Sequence, residues 1–198
     1  MRIGVDAMGG DYAPLEAIKG AVLAKSAFPE VEIVLYGDKQ VIETVAQDES
    51  LDLNGVEIVH CSEVIEMSEH PVKAIASKRD SSIFKGFLDL ASKKTDAFTS
   101  AGNTGAMLVG SIQILKPISG VERPCLIAGV PKPSGNHGII LDVGANSDTK
   151  PEHLQQFAVL GSVYAKSILN LENPKVGLLN IGEEEEKGSL YSYADVRR

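Results

Sequence analysis

The chain has 198 residues, 43% of them hydrophobic and 23% charged, an ordinary balance for a globular protein with one sizeable core and room for the start of a second domain. Its formal net charge of −8 argues against a nucleic-acid binder, which needs clustered positive charge to displace counterions. The N-terminus, MRIGVDAMGGD, has too few apolar residues before Asp6 for a signal peptide, so a reducing, cytoplasmic setting is expected.

In chain order, RIGVDA reads as a strand and MGGDYAP as a turn. Leu15–Ala27 follows as a helix with apolar residues at 18, 22 and 23. VEIVLYG is a strand, Lys39–Gln47 a helix and VEIVHC a strand. After an irregular stretch, SSIFKGFLDLASKK places Ile83, Phe84, Phe87, Leu88 and Ala91 on one face of an amphipathic helix. DAFTSA is again strand-like, and Asn103–Leu115 reads as a helix that ends before Pro117. The uncharged run from Ala97 to Leu115 is long enough to suggest a membrane span. A Gly-Asn turn with its polar backbone has no place in lipid, so strand, turn and packed helix are expected instead.

RPCLIAGVPKP and HGIILDVGA are joined only by turn residues and are expected to pair antiparallel. Glu152–Asn170 is a helix begun by a proline, and KVGLLNIG reads as a closing buried strand. Strands interleaved with helices give an α/β fold: an open, largely parallel sheet with helices on both faces and some antiparallel pairing. Domain boundaries are expected at 1–188, with 189–198 as an atypical tail that ends early.

In such a sheet, ligands bind beyond the carboxyl ends of the strands. Four predicted strand ends carry glycine with polar partners: Gly9, Gly10 and Asp11; Ser100, Gly102, Asn103 and Thr104; Gly144 with Asn146; and Gly182 with Glu183. Glycine lets backbone N–H groups approach a ligand, and a helix N-terminus adds partial positive charge. SAGNTG therefore suits a phosphate or a developing oxyanion, or else Asn103 or Thr104 simply caps the helix. Lys78, Arg79, Ser81 and Ser82 form a second anion candidate at another helix start, with a capped helix and solvated charges as the bland reading. Between Lys73 and Lys94 the basic residues outnumber the acidic ones, enough to steer an acidic partner. No dinucleotide, P-loop or nucleophile-elbow motif is present, and the scattered histidines have no metal-ligand spacing. No cofactor or metal is expected. Cys61 and Cys125 sit in apolar contexts without CxxC spacing and read as structural.

VDAMGGDYAP, SKRDSSIFKG, TSAGNTGAML, LDVGAN and KVGLLNIGEEEEKG, in this order, resemble the PlsX-type phosphate acyltransferases of bacterial phospholipid synthesis. The resemblance runs from Arg2 to about Gly188 and implies a fold similar to isocitrate and isopropylmalate dehydrogenases and phosphotransacetylases. It implies transfer of a fatty acyl group from acyl carrier protein to inorganic phosphate, with a homodimer, peripheral membrane contact and a membrane acyltransferase as onward partner. Short acyl-CoA donors and a non-catalytic acyl-binding fragment are the alternatives. Phosphate would be the nucleophile, positioned by Gly9, Gly10, Ser100, Gly102, Asn103 and Thr104, with Asp11, Ser100 and Asn103 the candidates for the chemistry. Lys78, Arg79, Ser81 and Ser82 are further phosphate candidates, Asn146 and Glu183 complete the substrate set, and the Lys73–Lys94 face would dock the acidic carrier. The family is longer and its C-terminal part helps build the cleft, so this chain is expected to be truncated. Asn103→Ala is expected to raise the phosphate requirement at little cost in stability.

Overall fold

The computed structural model describes residues 1–133, 135, 137–144, 146 and 149–179. The chain forms two compact units, Met1–Pro117 and Ile118–Arg198. In the first, four strands lie in one parallel sheet: β1 (Arg2–Asp6), β2 (Glu32–Gly37), β3 (Val56–His60) and β4 (Ala97–Thr99). Their spatial order is β3-β2-β1-β4. The chain thus winds outward from β1 through α1 (Leu15–Ala27) to β2 and through α2 (Lys39–Asp48) to β3. It then crosses back by α3 (Pro71–Ser77) and α4 (Ser82–Ala91) to place β4 on the other side of β1. This reversal makes the carboxyl ends of β1 and β4 a topological switch point.

Alternation along β2 shows why helices cover both faces. Ile33 and Leu35 are buried with Ile18, Ala21, Ile42 and Ala46 of α1 and α2. Val34 and Tyr36 point the other way, toward Cys61 and Phe98. Each of these large aliphatic side chains contributes about 1.5–3 kcal/mol by burial. On the second face, Phe98 of β4 meets Tyr36 edge-on at 5.7 Å and Phe87 of α4 at 5.5 Å between ring centroids. The Tyr36 hydroxyl donates to Asp89 Oδ2 at 3.0 Å. Burial and then Asp89 raise the phenol's pKa, which keeps that proton in place. Cys61 is fully buried and its thiol is pushed up to about 12, chiefly by burial, as befits a packing residue.

Three local features depart from the sequence reading. The stretch read as irregular contains α3, whose start at Pro71 is the ordinary first-turn proline signal. The helix read over Asn103–Leu115 is an α-helix only over α5 (Thr104–Gly110) and continues as a π-helical turn over Ser111–Leu115. Leu88, assigned to the buried face of α4, is half exposed. In α4 the burial centres instead on Ile83, Gly86 and Phe87. Among the described residues, no helix is long and apolar enough to cross a membrane.

The second unit holds the antiparallel pair β5 (Ile127–Pro131) and β6 (His137–Leu141) and the helix α6 (Pro151–Ser167). Lys175–Leu179, read as the start of a buried strand, pairs with no strand among the described residues, and Leu179 is 82% exposed. These residues instead form one wall of a cavity of about 650 Å³ whose other walls include Leu141, Phe157 and Gly161. An apolar run specifies that a segment seeks apolar neighbours. It does not specify a hydrogen-bonded strand beside it.

Candidate functional site

The site is built where β1 and β4 end side by side. Gly4 pairs with Phe98 and Val5 with Thr99 in the parallel register, so the next residues of both strands emerge together. Asp6, the last residue of β1, is only 2% exposed. Its Oδ1 accepts from Met8 N–H at 3.0 Å, and its Oδ2 accepts from the Ser100 hydroxyl at 2.7 Å. Ser100 Oγ in turn accepts from Gly102 N–H at 3.0 Å. One buried carboxylate thus sets the course of both loops.

Those loops then meet backbone against backbone. A Cβ on Gly9 would fall 2.7 Å from Gly102 N and closer still to Asp6 Oδ2. A Cβ on Gly102 would fall 3.1 Å from Gly9 Cα. A side chain at Gly9 would force the loops apart, and one at Gly102 would be a tight fit. Gly10 adopts a φ of +109°, with Ala101 beside it. Among the described residues, the N–H groups of Gly9, Gly10, Thr104 and Gly105 have no protein acceptor, as the loop geometry and the open first turn of a helix both require. Asp11 is exposed on the same loop, and Thr104 is exposed at the start of α5.

Asn103 takes the capping part, one of the two that the sequence allowed. It is 4% exposed and its Oδ1 caps α5 by accepting from Ala106 N–H at 2.9 Å. Its Nδ2 donates to the carbonyls of Glu66, Met67 and Glu69 at 3.0, 3.3 and 3.1 Å. The amide is therefore spent on fastening the Glu66–Glu69 turn to α5, and none of it is left for an oxyanion. Ser100 is likewise committed: its single proton goes to Asp6.

In the second anion candidate, most side chains are engaged within the fold. Ser81 is fully buried, accepts from Phe84 N–H at 3.3 Å and donates to the Lys78 carbonyl at 2.7 Å. Ser82 is 2% exposed. Lys78 Nζ donates to the Val64 carbonyl at 2.6 Å and pairs with Glu69, whose carboxyl pKa that contact lowers. Arg79 is exposed. Within the basic stretch, Lys85 pairs with Asp80 at 2.5 Å and Lys94 with Asp89 at 3.0 Å. Lys85, with help from Ser62, holds Asp80 well below the usual carboxylate range. The local basic excess is thus partly neutralised within the fold.

Asn146 belongs to the second unit, where its Nδ2 donates to Asp142 Oδ1 at 2.7 Å beyond the end of β6. Glu183 lies outside the described residues. Of the four glycine-bearing ends, the structure joins the two from β1 and β4. The central residue of that junction, Asp6, is not among the site residues singled out from the sequence. The signal was present: an acidic side chain at a buried strand end requires donors nearby.

The family described as "Fatty acid synthesis protein" matches residues 1–194. A phosphate acyltransferase of Dictyoglomus turgidum is 48% identical over 189 residues, which cover 96% of this chain and 56% of the relative. One from Clostridioides difficile is 42% identical over 201 residues, covering 100% of this chain and 59% of the relative. The chain thus spans somewhat over half the length of these curated relatives. Among solved structures, a phosphotransacetylase from Streptococcus pyogenes superposes with a TM-score of 0.65 at 15% identity, over 87% of this chain and 55% of that one. A branched-chain phosphotransacylase from Enterococcus faecalis gives 0.57 at 15% identity, over 88% and 54%. These likenesses establish the fold.

Proposed function

Because the chain belongs to the fatty acid synthesis protein family, in which its curated relatives are phosphate acyltransferases, we propose that it contributes the phosphate-binding half of an enzyme that moves an acyl group onto inorganic phosphate. The donor is a fatty acyl thioester of acyl carrier protein, and the product is an acyl phosphate for phospholipid synthesis. A homodimer, and a membrane acyltransferase that consumes the acyl phosphate, complete the proposed setting, as does a cytoplasmic location with peripheral membrane contact. The observation that carries this reading is the β1–β4 crevice, where two glycine loops touch and the N–H groups of Gly9, Gly10, Thr104 and Gly105 remain unpaired among the described residues.

The chemistry needs no protein nucleophile. A deprotonated oxygen of hydrogen phosphate attacks the thioester carbon, and the carbonyl oxygen becomes an oxyanion. Collapse of that adduct breaks the C–S bond and releases acyl phosphate. The proton that phosphate carried ends on the departing sulfur, and exposed Asp11 is the side chain on this loop able to relay it. The backbone N–H groups supply preorganised donors for phosphate and oxyanion. Fixing them through Asp6, Ser100 and Asn103 means that they need not reorganise during the reaction.

The test supplies the purified chain with long-chain acyl-acyl carrier protein and phosphate, and traps acyl phosphate as a hydroxamate with hydroxylamine. Phosphate-dependent hydroxamate from the carrier-protein thioester is the expected result. Product from short acyl-CoA alone would reassign the donor. Silence with both donors from folded chain would favour an acyl-binding fragment.

A further inference from the structure

Resting on the phosphate reading above, we infer that the Asp6–Ser100 pair selects an oxyanion that carries a hydrogen, so that phosphate is admitted and sulfate refused. The argument starts from the proton count at Ser100 Oγ. A hydroxyl has one hydrogen and two acceptor positions. The hydrogen lies in the 2.7 Å bond to Asp6 Oδ2, and one acceptor position takes Gly102 N–H at 3.0 Å. What remains at Oγ is a single lone pair.

Reversing the hydroxyl is blocked by its surroundings. Asp6 Oδ1 already accepts from Met8 N–H at 3.0 Å, and Oδ2 lies so close to Gly9 that a Cβ there would collide with it. If Ser100 turned its hydrogen outward, Oδ2 would lose its hydroxyl donor while 2% exposed, a costly state for a buried carboxylate. Half-buried Ser100, bonded to Asp6 at the start of one loop and to Gly102 of the other, therefore adds an acceptor where the two loops that carry the unpaired N–H groups meet. Near neutral pH phosphate and arsenate retain an O–H that can donate to this acceptor. Sulfate has none, and its oxygen would meet the lone pair of Oγ with the Asp6 charge behind it. The same bond would orient phosphate with its protonated oxygen toward Ser100 and an unprotonated one free to attack the thioester. Asp6 thus acts as a positioning residue through Ser100.

The experiment measures binding of inorganic phosphate, arsenate and sulfate to the purified chain at pH 7.5 by calorimetric titration, in wild type, Asp6→Asn and Ser100→Ala. The wild-type chain is expected to bind phosphate and arsenate at least about tenfold more tightly than sulfate. Ser100→Ala bares the Asp6 carboxylate as the acceptor in its place, so the folded variant should still refuse sulfate. Asp6→Asn places an N–H₂ against Oγ and turns the Ser100 hydrogen outward, which should improve sulfate binding in absolute terms. Equal binding of phosphate and sulfate by wild type would overturn this inference and leave the parent reading intact. So would a ratio unchanged in folded Asp6→Asn, or sulfate bound as tightly as phosphate by folded Ser100→Ala. Absence of phosphate binding by folded wild type would overturn the parent reading as well.

Discussion

Asn103 spends both ends of its amide within the protein: one oxygen bond to Ala106 N–H and a nitrogen shared among three carbonyls. The sequence showed an asparagine before a helix and allowed either a cap or an oxyanion ligand. Only the three-dimensional partner of the nitrogen, the Glu66–Glu69 turn, separates the two, and nothing local in SAGNTG foretells that turn. Truncation to Ala removes the cap and strands buried polar groups, so Asn103→Ala is expected to cost about 2–4 kcal/mol in urea unfolding. This replaces the expectation of little stability loss. Thr104→Ala, at the neighbouring exposed position, should change stability by about 0.5 kcal/mol or less. Equal effects of the two would deny Asn103 its latching role.

At the scale of elements, strand and helix order was legible because period-two and helical patterns are strong over most of the first unit. The crossing of α4 over β4 was less so. Its position depends on Gly86, where a Cβ would lie 2.5 Å from Phe98 Cδ2 and closer still to the ring edge. The helix rests directly on an aromatic ring that is also held by Tyr36 and Phe87. A glycine inside an amphipathic helix looks like a weakness in the sequence, and its packing purpose appears only once Phe98 faces it. Gly86→Ala improves helix propensity yet should destabilise the chain by about 1–3 kcal/mol through overpacking. A stabilised variant in thermal unfolding would show that the α4–β4 contact is looser than the structure has it.

For the whole molecule, the order β3-β2-β1-β4 decides where chemistry can occur. Alternating strands and helices implied an α/β sheet, and glycine-bearing ends pointed to its carboxyl rim. The sequence could not say which two ends are neighbours, because strand order is fixed by a crossover far from either loop. VDAMGGD and TSAGNTG were brought into contact when the chain passed back across β1. Asp6 then acquired its meaning as the tie between them, while Ser81 and Ser82 were drawn into the packing of α4. The central claim is that inorganic phosphate binds at this switch point, and amide chemical-shift mapping by NMR during a phosphate titration tests it most directly. Saturable shifts concentrated at Met8–Gly10 and Ala101–Gly105 are predicted. Saturable shifts centred on Lys78–Ser82 or on the second unit, with the two glycine loops unmoved, would contradict it.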